Sequence, residues 1–154
     1  MRLCMASASL SLHIAETSTG TYMTAHKHGP GAHVLCVGGE GYELLFMPGE
    51  TNRRRIPLNP TAVVSPRLNE YHQHLNTGTT PLRMLAFKEQ GYSSKYGTGK
   101  SYQPDLSAQD KDPKAEIYQI SYENEDPQIS AEYYRELERK GITLRLPPLN
   151  QGSG

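Results

Sequence analysis

The sequence predicts an all-β domain built from short antiparallel strands. Between residues 10 and 88, short β-type runs recur roughly every 8–12 residues between Gly, Pro and Asn turns, a spacing typical of a sandwich or barrel. The same region has no stretch with the 3.6-residue apolar period of a helix. A chain of 154 residues is long enough for one domain whose core needs no disulfide or structural metal.

Eight segments carry this strand pattern. They are residues 11–16, 20–26, 33–39, 42–47, 53–58, 62–66, 71–76 and 81–88. The N-terminal stretch is interpreted as a first strand rather than a signal peptide, because Ser and His interrupt its apolar positions. We therefore assign residues 1–90 to a β-barrel and residues 91–154 to a C-terminal region that packs on the barrel or on a partner subunit.

The C-terminal region begins with a change in composition. Residues 89–112 are polar and rich in Gly, Ser and Tyr, which predicts a long arm. Residues 116–122 alternate like a strand, and the last residues, after two prolines, are expected to fray.

One helix is predicted after this strand. Asp126 is a good N-cap and Pro127 suits the first helical position, so a helix of about 13 residues should begin here. Ile129, Tyr133 and Leu137 then share one apolar face, which predicts that the helix lies against another apolar surface.

Charge and composition exclude several classes of partner. Sixteen Lys and Arg balance sixteen Asp and Glu, so the chain lacks the basic surface that nucleic-acid and anionic-membrane binders use. No run reaches the 18 or so apolar residues of a transmembrane helix. Cys4 and Cys36 form no disulfide framework, which favours reduced thiols and a cytoplasmic location.

Five of the six histidines form two clusters in the β-rich half. His26 and His28 are two residues apart and so share one face of a strand, as do His72 and His74. His33 lies shortly after the first pair. Because a barrel would bring the two clusters together, the sequence predicts a metal site built from imidazoles.

These segments resemble the two motifs of the cupin superfamily. Gly20, five residues and then His26 and His28 resemble the start of G(X)5HXH(X)3,4E(X)6G. His72 and Asn76 resemble the H(X)3N part of the second motif, PXG(X)2H(X)3N. The resemblance covers about residues 10–88, and it implies a cupin barrel of the jelly-roll or double-stranded β-helix type with a metal in its mouth.

The glutamate of the first motif is missing from this chain. Ala32 and His33 occupy the two positions where it could stand. Counting back six residues from the turn glycine Gly39 reaches Ala32, so Ala32 replaces the glutamate and His33 points to the other side of the strand. A bulge at residues 29–31 would reverse this register and make His33 a ligand.

A metal site made only of histidines resembles that of gentisate-type ring-cleaving dioxygenases. The stretch HKHGPGAHVLCVGGEGY and the stretch YHQHLN both look like segments of that subset of cupins. The resemblance implies His26, His28 and His72 as three facial ligands. His74 shares the strand face of His72 and is assigned to the surroundings of the metal or, alternatively, to its ligand set.

This ligand set suits two kinds of chemistry. Three neutral imidazoles and open positions let Fe(II), the favoured metal, bind a chelating substrate and O2 together. The expected function is an Fe(II) dioxygenase that cleaves a C–C bond of a small oxygenated aromatic or enolisable carboxylate. Zn, Ni or Mn in the same site would instead support an isomerase, decarboxylase or lyase. A small-molecule-binding cupin without turnover is the third alternative.

Four further residues are candidates for contact with the substrate. Arg67 and Arg83 could pair with a substrate carboxylate. Tyr22 lies four residues before His26, and the alternation of a strand places it on the same side as a possible proton donor. Asn76, the last residue of the second motif, is the fourth candidate.

A homodimer is the expected assembly. The C-terminal region carries Tyr92, Tyr96, Tyr102, Tyr118 and Tyr122. Aromatic arms of this kind often cover sheet edges or exchange between subunits. Gentisate-type enzymes usually have two cupin domains in one chain, and a dimer would supply the second.

Overall fold

The computed structural model describes residues 2–4, 10–28, 32–89 and 118–146. Within these residues the chain forms ten strands and one α-helix. The strands are β1 (Arg2–Cys4), β2 (Leu10–Thr17), β3 (His26–Lys27), β4 (Ala32–Gly38), β5 (Gly41–Phe46), β6 (Arg54–Leu58), β7 (Val63–Val64), β8 (Tyr71–Asn76), β9 (Leu82–Glu89) and β10 (Tyr118–Gln119), and the helix is α1 (Pro127–Arg139).

The strands form two antiparallel sheets of five strands each. The first sheet has the order β1-β2-β9-β4-β7, and the second has the order β10-β3-β8-β5-β6. Apolar side chains from both sheets meet in a buried core: Ala32, Val34, Cys36, Leu45, Leu58, Val64, Leu82, Met84 and Ala86. The predicted all-β class is confirmed, and the two facing sheets have the arrangement expected of a jelly roll.

The turn between β4 and β5 depends on a glycine. Gly39 has a φ of +83°, a left-handed conformation that L residues with side chains rarely adopt. A Cβ at this position would also collide with the backbone carbonyl of Pro81. Gly39, from which the register of β4 was counted in the sequence, therefore lies in a turn of the structure, as expected.

Most of the predicted strands are present, but three are much shorter than expected. Residues 20–26 contribute only a bridge at Tyr22 and the first residue of β3, residues 62–66 contribute only β7, and the described residues 118–122 contribute only β10 and the start of a 3-10 turn. Tyr22 pairs with Leu75, whereas His26 pairs with His72. Four residues separate Tyr22 from His26, but only three separate Leu75 from His72. The first segment therefore has one extra residue, which interrupts the regular pairing of the two strands.

The helix is confirmed at the predicted position. The Asp126 side chain accepts a hydrogen bond from the Gln128 backbone N–H and so caps the first turn. The predicted apolar face packs on the outer side of the second sheet, where Tyr22, Tyr42, Leu44 and Leu75 meet Ile129, Tyr133 and Leu137. No helix in the described part of the chain has the length and apolar character needed to cross a bilayer. The predicted arm before residue 118 and the fraying end after residue 146 lie outside the described residues.

Candidate metal centre

Three histidines meet between the two sheets. His26 lies on β3, His28 follows it directly, and His72 lies on β8. All three side chains are buried, and each offers one atom to a group whose members lie within 4.8 Å of one another. These are the three residues that the resemblance implies as ligands.

Strand pairing explains how the three rings meet. His26 is the direct antiparallel partner of His72, which places their ring centroids 4.2 Å apart. His28 lies two residues further along the same side of the chain, and its ring centroid is 4.8 Å from that of His72. Two short sequence clusters on neighbouring strands thus form one group.

The backbone orients two of these rings. The Nδ1 atom of His26 faces the carbonyl oxygen of Thr24 at 3.4 Å, and that of His72 faces the carbonyl oxygen of Glu70 at 3.3 Å. An imidazole that donates from Nδ1 to a carbonyl presents Nε2 as the metal-binding atom. Both rings therefore have the second contact that metal-ligating histidines usually make.

The protonation state of His72 also suits a ligand. Burial holds the pKa of His72 well below its usual value, and the neighbouring rings of His26, His28 and His74 lower it further. A neutral imidazole is the form that binds a metal. The three residues fit a divalent cation, and metal–nitrogen bonds of about 2.1 Å would require the rings to move together by roughly 1–2 Å.

A fourth histidine and a glutamate lie beside this group. His74 is buried on β8, and its ring centroid is 6.0 Å from that of His72. Glu43 on β5 is the direct partner of His74, and its Oε2 lies 3.8 Å from His74 Nδ1. His74 thus lies beside the three-histidine group and outside it, as first expected for a residue that surrounds the metal.

Glu43 is the residue of this region that sequence reasoning missed. It is completely buried, and its two carboxylate oxygens accept no hydrogen bond from the described residues. Burial raises its pKa to about 8, and the negative charge of Glu70 contributes to the shift. One signal in the sequence was available, since Glu43 is the only charged residue within the apolar run of residues 41–46.

Tyr22 does not face the histidines, so the prediction of a proton donor there is wrong. The extra residue between Tyr22 and His26 places their side chains on opposite faces of the second sheet. The Tyr22 hydroxyl donates to Glu125 Oε2 at 2.6 Å, on the side covered by the helix. Gln73, which lies between His72 and His74, donates to the other oxygen of Glu125 at 2.7 Å.

The role of Tyr22 can be tested by removing its hydroxyl. Tyr22→Phe should destabilise the protein by about 1–3 kcal/mol, because Glu125 loses a buried hydrogen-bond donor. Metal affinity should stay the same, since the hydroxyl lies on the opposite face from the histidines. Urea denaturation and metal titration would measure the two effects. Tyr134→Phe is the control, because Tyr134 packs against the same cluster as Tyr22 but is only partly buried.

The two arginines proposed to bind substrate are exposed. Arg83 alternates with the buried Met84 and points outward, where it pairs with Glu16 at 2.7 Å. Arg67 is exposed in the loop before β8, and its backbone N–H donates to Glu70. Their assignment to substrate binding stays a prediction.

Asn76 supports a turn. Its Nδ2 donates to the carbonyls of Thr17 at 2.9 Å and Thr80 at 3.0 Å, and its Oδ1 accepts from the Gly78 N–H. These bonds hold the turn between β8 and β9 against the end of β2. A role of Asn76 in catalysis or substrate binding stays a prediction.

His33 and Ala32 follow the register counted from Gly39. Ala32 is buried in the core, whereas His33 is exposed and its Nδ1 lies 2.6 Å from the Ser65 hydroxyl. The alternative in which His33 joins the ligands is excluded by this orientation. Ala32 thus stands where the motif has its glutamate, and the group contains no carboxylate.

Comparisons with known proteins support the fold. No family model matches the sequence, and no curated protein matches it. A structure of CapF with the inhibitor 3-isopropenyl-tropolone matches with a TM-score of 0.51 and 15% identity, over 57% of this chain and 27% of CapF. Bacillus subtilis oxalate decarboxylase (W96Y) matches with a TM-score of 0.49 and 17% identity, over 54% of this chain and 22% of that chain.

A third solved structure belongs to a plant protein. Peruvianin-I, described as a cysteine peptidase from Thevetia peruviana latex, matches with a TM-score of 0.49 and 17% identity, over 53% of this chain and 52% of that chain. The matched part of this chain thus spans about half or less of each of these proteins. The two-sheet topology and the match to CapF give a cupin-like fold, as the sequence motifs implied, and the histidine group agrees with it.

Proposed function

We propose that this protein is a metal-dependent enzyme in which His26, His28 and His72 hold one divalent cation, with Fe(II) as the favoured ion. The observation that carries the proposal is a group of three buried imidazoles, which no carboxylate joins among the described residues. Such a ligand set leaves the full charge on the cation and leaves part of its coordination sphere open. The site is therefore suited to an anionic substrate that chelates the cation through its oxygen atoms.

The favoured reaction is dioxygenase cleavage of a C–C bond in a small phenolic or enolisable compound. When bound, Fe(II) supplies adjacent positions for a chelating substrate and for O2, together with the electron transfer between them. The histidines are buried, and shielding from water strengthens the electrostatic interactions of the site. Arg67 and Arg83 are both exposed, so the substrate's carboxylate gains no support from them in this site.

One observation favours a second candidate function. Glu43 and His74 place a buried carboxyl group and a buried imidazole beside the three histidines, and both are group types that act as general acids or bases toward a substrate. With Zn, Ni or Mn in the site, proton transfer would support an isomerase, decarboxylase or lyase. The two candidates differ in whether O2 is consumed.

The test is O2 uptake by protein loaded anaerobically with Fe(II). Small hydroxylated aromatic compounds and β-dicarbonyls would be added one at a time, and the same compounds would be offered to protein loaded with Zn, Ni or Mn. Substrate-dependent O2 consumption that requires iron supports the dioxygenase. Conversion without O2 consumption overturns it in favour of the second candidate, and binding without conversion leaves a small-molecule-binding protein.

A further inference from the structure

The outer face of the first sheet is apolar, and no described helix or strand packs on it. Its large side chains alternate with the core residues of β2, β4, β7 and β9: Leu12, Ile14, Leu35, Val37, Val63, Leu85 and Phe87. Ile14 is 48% exposed, Val37 is 47% exposed and Val63 is 62% exposed. The outer face of the second sheet, in contrast, is buried under α1.

The register of the strands makes this face continuous. Ile14 lies opposite Leu85 on the neighbouring strand, and Leu85 lies opposite Leu35. Leu35 in turn lies opposite Val63, so one apolar row crosses four strands. Leu12 and Phe87 form a second, parallel row beside it. Isolated apolar residues are common on protein surfaces, but two adjacent rows form a patch.

The size of this apolar face suits the centre of a dimer interface. Three strands of about 20 Å, spaced about 4.8 Å apart, and the two-residue strand β7 give a projected area of roughly 300 Å². A stable interface buries about 800 Å² on each partner, with an apolar centre and a polar rim. The apolar rows would supply the centre, and the residues around them would supply the rim.

The charges at the edge of the face favour a second copy of this chain. At one end, Glu16 and Arg83 form an ion pair at 2.7 Å, so each copy brings one negative and one positive group. His33 and Ser65 lie at the other end, joined by a hydrogen bond. A face with no excess of either charge does not repel its own copy, whereas an anionic membrane or a highly charged partner would require a charge of one sign.

We propose that two copies of this chain pair through the outer faces of their first sheets, in a two-fold symmetric dimer. Each face contacts the same face of the partner, as in other symmetric dimers, and the two sheets stack about 10 Å apart. The three histidines belong to the second sheet, with His26 on β3, His28 directly after it and His72 on β8, and they face the space between the sheets. Pairing should therefore be independent of metal.

The test compares lysine substitutions on and off this face. Ile14→Lys and Val63→Lys place a charge in the apolar row, and Leu68→Lys is the matched control, because Leu68 is 67% exposed in the loop before β8. Light scattering after gel filtration, or sedimentation over a range of protein concentrations, would give the mass. Circular dichroism would show that each variant is folded.

We expect the wild-type protein and Leu68→Lys to be dimers with or without metal. Ile14→Lys and Val63→Lys should raise the dissociation constant of the dimer by at least about 30-fold. A wild-type monomer at about 100 µM protein would overturn the proposal. Dimers that survive both substitutions, or that Leu68→Lys weakens equally, would place the interface elsewhere and overturn it too. None of these outcomes depends on the proposed metal or reaction.

Discussion

Replacement of His72 by alanine is expected to abolish stoichiometric metal binding. His72 is the central member of the group, with ring centroids 4.2 Å from His26 and 4.8 Å from His28. Loss of a side chain that only supports a ligand typically costs 10–100-fold in metal affinity, so loss of a ligand should cost more than about 100-fold. His26→Ala should have a similar effect. Competition with a chromogenic chelator under anaerobic conditions would measure both.

His33→Ala is the matched control for this experiment. It removes an imidazole from the same region of sequence, but His33 is exposed and contacts Ser65 instead of the other histidines. Its metal affinity should equal that of the wild-type protein. Retention of stoichiometric metal by His72→Ala would contradict the ligand assignment, and loss of metal in His33→Ala would contradict the orientation of β4.

Glu43 is expected to make the stability of the metal-free protein depend on pH. Burial raises its pKa from an ordinary value of 4.5 to about 8. The folded state therefore holds the proton more tightly than the unfolded state. The stability that this proton provides is complete below about pH 4.5 and is lost as the pH rises through 8. A difference of this size corresponds to roughly 3–5 kcal/mol.

Glu43→Gln should remove this dependence, because glutamine stays neutral. The free energy of unfolding of the variant, relative to that of the wild-type protein, should rise by roughly 3–5 kcal/mol between pH 5 and pH 9. Urea denaturation of chelator-treated protein at several pH values would measure it. Glu132→Gln is the control, because Glu132 is exposed on α1. The difference in the free energy of unfolding between Glu43→Gln and the wild-type protein could instead stay the same at every pH. That result would contradict a raised pKa for Glu43 in the folded protein.

The histidine group was predictable from sequence because local rules determine it. His26 and His28 share a face through the two-residue period of an extended chain, and so do His72 and His74. The cupin motifs then indicated which clusters should meet. The position of Ala32 relative to Gly39 was predictable for the same reason, since only a short, regular strand separates them.

The misplaced side chain of Tyr22 and the missed Glu43 both depend on strand pairing. Tyr22 was placed beside His26 by assuming strict alternation, but one extra residue in the ladder reverses its face. A bulge of this kind leaves no reliable mark in the sequence. Glu43 was missed because its contact with His74 depends on the pairing of β5 with β8, and the sequence does not specify which strands pair.

The metal content of the purified protein tests the central claim most directly. Protein purified anaerobically, or reconstituted with Fe(II) and then desalted, would be analysed by mass spectrometry of the elements beside a variant that lacks both His26 and His72. We predict close to one divalent metal ion for each chain in the wild-type protein and none in the variant. A wild-type protein that retains no metal after reconstitution, or equal metal in both proteins, would contradict a three-histidine metal centre.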